Sequence, residues 1–249
     1  MNDKTATPHL SRISTHWDLL LQAQRGDGDA ASRAQRVLMR RYCGAVYRYL
    51  LAAVRDPDVA EELAQEFALR FVRGDFKRAD PERGRFRDFV KTALYHLIVD
   101  HHRRQQGRPG PLPSASGRLP AAAADPAADA EFVAHWRGEL LGRAWEARAA
   151  VQKRTGQLFH TVLHWRVTHP DEPAARLAEE LGGQLGRPFT EGGIRQTLRR
   201  AREKFADLLL EEVARSLETT SPERIEQELI DLGLHVYCRP ALDRRGRVG

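Results

Sequence analysis

Glu62 and Glu66 stand one helical turn apart in VAEELAQEFALRF (Val59–Phe71), and no lysine follows four residues on to neutralise them. With Glu61 and Gln65 beside them they make an acidic helix face suited to gripping a protein. A charged turn, ADPERGRF, leads into RDFVKTALYHLIVDHHRR, where aromatic rings alternate with cations. Rings stack on unpaired bases while cations follow the phosphates. The candidates for that chemistry are Arg83, Arg85, Phe86, Lys91, Tyr95, His96, Arg103 and Arg104. Phe86 and Phe89 lie three apart at a helix start, so core packing competes with stacking at both. Downstream, GGIRQTLRRAREKF (Gly192–Phe205) places Ile194, Leu198, Ala201 and Phe205 on one face. Arg195, Gln196, Arg199, Arg200 and Arg202 are left on the outward side, a basic row suited to a polyanion such as DNA. An arginine near the start of such a helix pairs bidentately with guanine, for about 1–3 kcal/mol of discrimination.

Two clusters imitate metal chemistry. Asp100-His101-His102 spells a phosphoesterase triplet, which in that setting follows a strand and needs further aspartates; here it ends a helix beside Arg103-Arg104. His160 and His164 are four apart on a helix, but the nearest third ligand is His169. No catalytic residue, metal or cofactor is assigned.

Charge supports the polyanion reading. The chain of 249 residues carries a formal net charge of +6, and its sequence pI is near 9.7. From Arg83 to Arg108 seven Lys/Arg face two acids, and from Arg187 to Lys204 six face two. From Ala206 to Asp231 the balance reverses, eight acids against two arginines. Cys43 and Cys238 have no metal-ligand spacing and read as reduced thiols. No apolar run approaches the roughly 18 residues of a membrane span, and MNDKTATPHLSRIST lacks a signal core. The expected location is the cytoplasm.

The elements that must position these residues are all helical. A polar arm precedes a first helix over Trp17–Gln24, broken at Gly26–Asp29. A second begins near Ala31 and buries Val37, Leu38, Tyr42, Val46, Tyr49, Leu50 and Val54. A third, Val59–Phe71, buries Leu63, Phe67 and Phe71. A fourth, Phe86–His102, buries some of Phe89, Val90, Ala93, Leu94, Leu97 and Ile98. Residues 108–130 hold five Pro and eight Ala and read as a linker. Helical patterning returns from Glu131 through Trp165, then in Pro173–Leu181 and Glu191–Leu217. The expected fold is all-α, with two helical domains joined by a Pro/Ala-rich linker. Its divisions are 1–107, linker 108–130, helix-turn-helix 131–217 and an acidic extension 218–249.

These motifs, in this order, resemble the bacterial RNA polymerase sigma factors of the extracytoplasmic-function type. Their D-A-E-D-x-x-Q-E helix docks on the clamp of the polymerase largest subunit; Val59, Ala60, Glu61, Glu62, Gln65 and Glu66 match it, with Val59 replacing the usual Asp. Their D-P-E-R-G-x-F turn and the following helix read the melted minus-ten strand, matched by Asp80–Phe86 and Phe89, Lys91, Tyr95, His96, Arg103 and Arg104. His96 stands where Asn is frequent. AARLAEEL (Ala174–Leu181) and Gly192–Phe205 match the minus-thirty-five-reading helix-turn-helix, with a connection about six residues longer than the tight family turn.

The resemblance implies a dissociable polymerase subunit that recognises promoters and opens them. The implied partners are the polymerase core, through its clamp and flap, and promoter DNA; an anti-sigma partner is left open. No membrane is implied. Separating about a dozen base pairs costs on the order of 15–20 kcal/mol, and stacking two or three bases returns about 2–9 kcal/mol. Opening therefore needs the polymerase. One alternative is a helix-turn-helix regulator without polymerase contact, which has no use for Glu62, Gln65 and Glu66. A hydrolase would need metal-dependent turnover that the motifs do not support. In the extension, Ile225, Leu229, Leu232 and Val236 fall on one helix face, and Ser221 reads as its N-cap. That face is expected to pack on the second domain, either restraining DNA access or capping the fold.

Overall fold

The computed structural model describes residues 20–23, 28–76, 85–107, 126–217 and 221–246, the side chains of 126–128 excepted. Every element among these residues is an α-helix. Helix α1 (Asp29–Val54) buries Leu38, Tyr42, Ala45, Val46, Tyr49 and Leu50 in one stripe. Val37, expected in that stripe, is instead exposed, because its neighbour Leu38 takes the inward position. Arg55 closes the helix in the left-handed region at φ 58°, its amide donating to Leu51.

Helix α2 (Pro57–Arg73) starts where the sequence provides for it. The Asp56 side chain accepts from the amides of Asp58 and Val59, and Pro57 takes the first turn, where its missing N–H costs nothing. Leu63, Phe67 and Phe71 are buried as expected. Gly74 ends it at φ 82°, a conformation that a side chain would strain. Helix α3 (Phe86–Gln105) buries Phe86, Val90, Leu94 and Leu97, together with Arg87 and His101. Phe89, Ala93 and Ile98 are half-buried. Helix α1 packs on both α2 and α3.

Helix α4 (Pro126–Thr155) begins inside the stretch expected to be linker, with Pro126 at its first position and an Ala-rich start that favours helix. The rest of that stretch, 108–125, and the start of the first expected helix lie outside the described residues. The described residues divide into two compact units, 1–139 with 213–228, and 140–212 with 229–249. These limits differ from those read from composition: residues 131–139 and 213–228 group with the first unit. Phe132 and Trp136 account for the former. Both are fully buried, Phe132 edge-on to Tyr49 at 5.1 Å and Trp136 stacked on Tyr42 at 4.6 Å.

In the second unit, helices α5 (Phe159–Thr168), α6 (Ala174–Leu185) and α7 (Glu191–Arg215) surround one core. Val162, Trp165, Ala174, Leu177, Ala178, Leu181, Ile194 and Leu198 form it. Part of the long connection becomes helix: α6 continues past Leu181 to Leu185, and Gly186 ends it at φ 62°. Thr190 then caps α7 by accepting from the Gly193 amide at 3.1 Å. Behind α7, the fully buried Arg148 donates to the Ala201 carbonyl at 2.6 Å. Burial lowers its pKa to about 10, against a smaller opposing pull from Tyr237.

The extension forms α8 (Pro222–Asp231) and α9 (His235–Gly246). Ile225, Leu229 and Leu232 are buried, but Val236 is 90% exposed. Gly233, at φ 66°, ends α8 and starts a new helical phase, which breaks the expected stripe. The expectation that the extension packs on the second domain holds only for part of it. Residues up to Glu228 belong to the first unit, and Arg244 and Arg245 pair with Asp207 and Glu211 in the second.

Candidate functional site

Leu63, Phe67 and Phe71 anchor α2 inward, and this rotates Glu61, Glu62 and Gln65 into solvent. Gln65 Nε2 donates to Glu61 Oε1 at 3.4 Å. Glu66 is not the open carboxylate expected of it. It is half-buried, accepting from Arg70 Nη2 at 2.5 Å and from Arg104 Nη2 at 2.8 Å. Burial pushes its carboxyl up, but the Arg104 and Arg70 hydrogen bonds outweigh this and hold it below the usual carboxylate range. Glu66 is thus ionised and compensated, by an arginine four residues on and by a second arginine from α3. Leu69 and Val72 continue the outward face, both more than half exposed. Sequence reading missed them, although the 3-4-3 spacing of Glu62, Gln65, Leu69 and Val72 marks one face.

Helix α3 carries the expected nucleic-acid residues, each in a distinct setting. Phe86 does not face solvent. It is 2% exposed, with its ring 5.2 Å from Tyr42 and 6.2 Å from both Phe89 and Trp136. A ring enclosed on those sides belongs to the core and cannot stack on a base. Arg85 pairs with Glu228, and Lys91 Nζ lies 2.6 Å from Asp129 Oδ1, so both cations already have internal carboxylates. Tyr95 and His96 are half-buried neighbours, ring centroids 5.8 Å apart. Burial lowers the His96 pKa, with Asp100 opposing and Arg103 adding to the effect. Arg103 and Arg104 are exposed at the end of α3. The Glu66 hydrogen bond raises the Arg104 pKa despite some burial. Arg83, and residues 80–84 of the turn, lie outside the described residues.

In the second unit Arg195, Gln196, Arg199, Arg200 and Arg202 are all exposed along α7, because Ile194, Leu198, Ala201 and Phe205 point inward. Arg195 pairs with Glu191 and Arg199 with Glu203, one turn apart and largely in water. Such surface pairs exchange readily for a stronger anion.

The metal-like clusters have structural partners. Asp100 Oδ2 lies 3.6 Å from Arg70, His101 Nε2 lies 3.0 Å from Gln105 Nε2, and the His160 and His164 rings stack at 5.9 Å beside Trp145. Among the described residues no group of three His, Cys, Asp or Glu is placed to hold a metal ion. Among them, too, no helix is long and apolar enough to cross a membrane.

Residues 38–108 match the family description of sigma-70 region 2. No curated protein and no solved structure matches the chain. Region 2 is the core-binding and promoter-melting region of sigma factors. The match runs from Leu38 on α1 through the whole of α2 and α3, the helices that carry the acidic face and the ring-and-cation face. Over these residues the chain carries a sigma-70 region 2 domain, which supports a sigma-70 family RNA polymerase sigma factor.

Proposed function

We propose that the chain is a promoter-specificity subunit of the extracytoplasmic-function type. It docks on the polymerase clamp through α2 and reads two promoter elements through α3 and α7. The observation that carries the reading is the region 2 match over the two helices whose outward faces differ in chemistry. Glu61, Glu62, Gln65 and Glu66 are assigned to the clamp. Arg85, Tyr95, His96, Arg103 and Arg104 are assigned to the minus-ten strand, with Arg83 and Lys91 as further cations. Phe86 leaves that set, because its ring is core.

The second unit is assigned to the minus-thirty-five element. Three helices around one apolar core, with a Thr190-capped α7 presenting Arg195, Gln196, Arg199, Arg200 and Arg202, support a major-groove reader. The flap is the partner expected for this unit, and the cytoplasm the expected location. Run-off transcription with purified core polymerase, with and without the protein, tests the whole reading. Promoter-dependent transcripts are expected. Promoter binding that needs no core and yields no transcript would favour a plain DNA-binding regulator.

A further inference from the structure

The cations at the entrance to α3 are held by a carboxylate from far outside region 2. Arg85 Nη1 donates to Glu228 Oε2 at 2.7 Å, and Arg87 Nη2 donates to the same oxygen at 3.4 Å. Glu228 lies on α8, 143 residues from Arg85, and is fully buried. Arg87 is buried too, whereas 22% of the Arg85 side chain meets solvent.

A carboxylate on a nucleic-acid-facing arginine has two physical readings. It stands in for a strand phosphate and blocks the site, or it holds the arginine in place. Burial decides between them. A phosphate competing for this carboxylate's position would have to enter a site closed to water, and displacing Glu228 would leave its charge buried without these two arginines. The solvent-facing share of this group lies on Arg85. Arg85 is also the N-cap of α3, its carbonyl accepting from the Phe89 amide at 3.1 Å. Fixing its side chain therefore fixes how the chain enters the helix.

We propose that Glu228 is a positioning residue for promoter melting. It orients Arg85 at the start of α3, which makes α8 a working part of region 2 and not a detachable brake. This rests on the proposed function, and the assay separates the two. Glu228→Gln keeps an acceptor but removes the charge. The double substitution R87M/E228M removes both buried charges and roughly keeps the volume, so the fold survives without an isolated ion.

Core binding is measured by competition, and strand opening by permanganate reactivity, on duplex and on pre-melted templates. Both variants should bind core as the wild type does, open duplex promoters at least tenfold more slowly, and match the wild type on pre-melted DNA. Wild-type opening by the folded double variant overturns the proposal, as does an equal deficit on pre-melted DNA. Tighter duplex binding by free E228Q overturns it in favour of restraint. A double variant that cannot fold overturns it in favour of a purely structural pair. If the wild type itself neither binds core nor opens promoters, the proposed function fails and this proposal with it.

Discussion

Phe86→Ala separates a core ring from a base-stacking ring more sharply than any other single change. The ring is 2% exposed and lies against Tyr42, Phe89 and Trp136. Removing it deletes apolar burial and leaves a cavity between two helices and the start of α4. Such truncations cost about 3–5 kcal/mol, against about 5–15 kcal/mol for the stability of a whole domain. At a urea dependence of roughly 2 kcal/mol per molar, the midpoint should fall by about 2 M. Hydrogen exchange along α1 and α3 during the titration assigns the loss to the first unit, since Phe86 and Tyr42 lie on those helices. Phe86→Leu keeps part of the burial and should lose less. A surface ring gives a different result. If Phe86→Ala keeps its stability to within about 0.5 kcal/mol but loses permanganate reactivity at the promoter, the burial argument is wrong.

Other substitutions test the remaining assignments. Replacing Glu62, Gln65 and Glu66 together by Ala should abolish core binding in pull-down at a stability cost of roughly 1 kcal/mol or less, because the Glu66 pairs are partly in water; a folded triple variant with wild-type affinity removes α2 as the docking face. Arg195→Ala and Arg199→Ala should each weaken duplex binding by about 1–3 kcal/mol where the side chain reads a base; equal losses on unrelated DNA would reduce them to phosphate contacts. His96 binds its proton less readily folded than unfolded, chiefly because it is buried. The stability it controls is therefore complete above the usual histidine value of 6.5 and is lost as pH falls through the window below it. His96→Gln should flatten that part of the pH profile, and an unchanged slope would place the proton elsewhere.

Much of the architecture was legible because it is local. Leu63, Phe67 and Phe71 recur at four-residue spacing, and Asp56-Pro57 announces the start of α2. The outward arginines of α7 follow from the inward Ile194 and Leu198. What escaped was set by partners distant in sequence. Phe86 sits at a helix boundary, where periodicity has only one side to work from, and the Trp136 ring beside it comes from another helix. Of the two arginines on Glu66, Arg70 stands four residues on and was within local reach, and only Arg104, 38 residues away, was not. Val236 was assigned by extending one helical period across Gly233, where the backbone turns left-handed and the phase restarts. Glu228 left no trace at all, since one acid among several on a helix gives no sign of a partner 143 residues earlier.

The two cysteines differ in a way that makes the protein easy to label. Cys238 is fully enclosed, and burial pushes its thiol up to about 12, so the reactive thiolate is scarce at neutral pH and hidden from reagents. Cys43 is exposed on α1, within the matched region. A maleimide fluorophore applied to the folded wild-type chain therefore attaches at one place. That place reports on the family-matched region without any engineered residue.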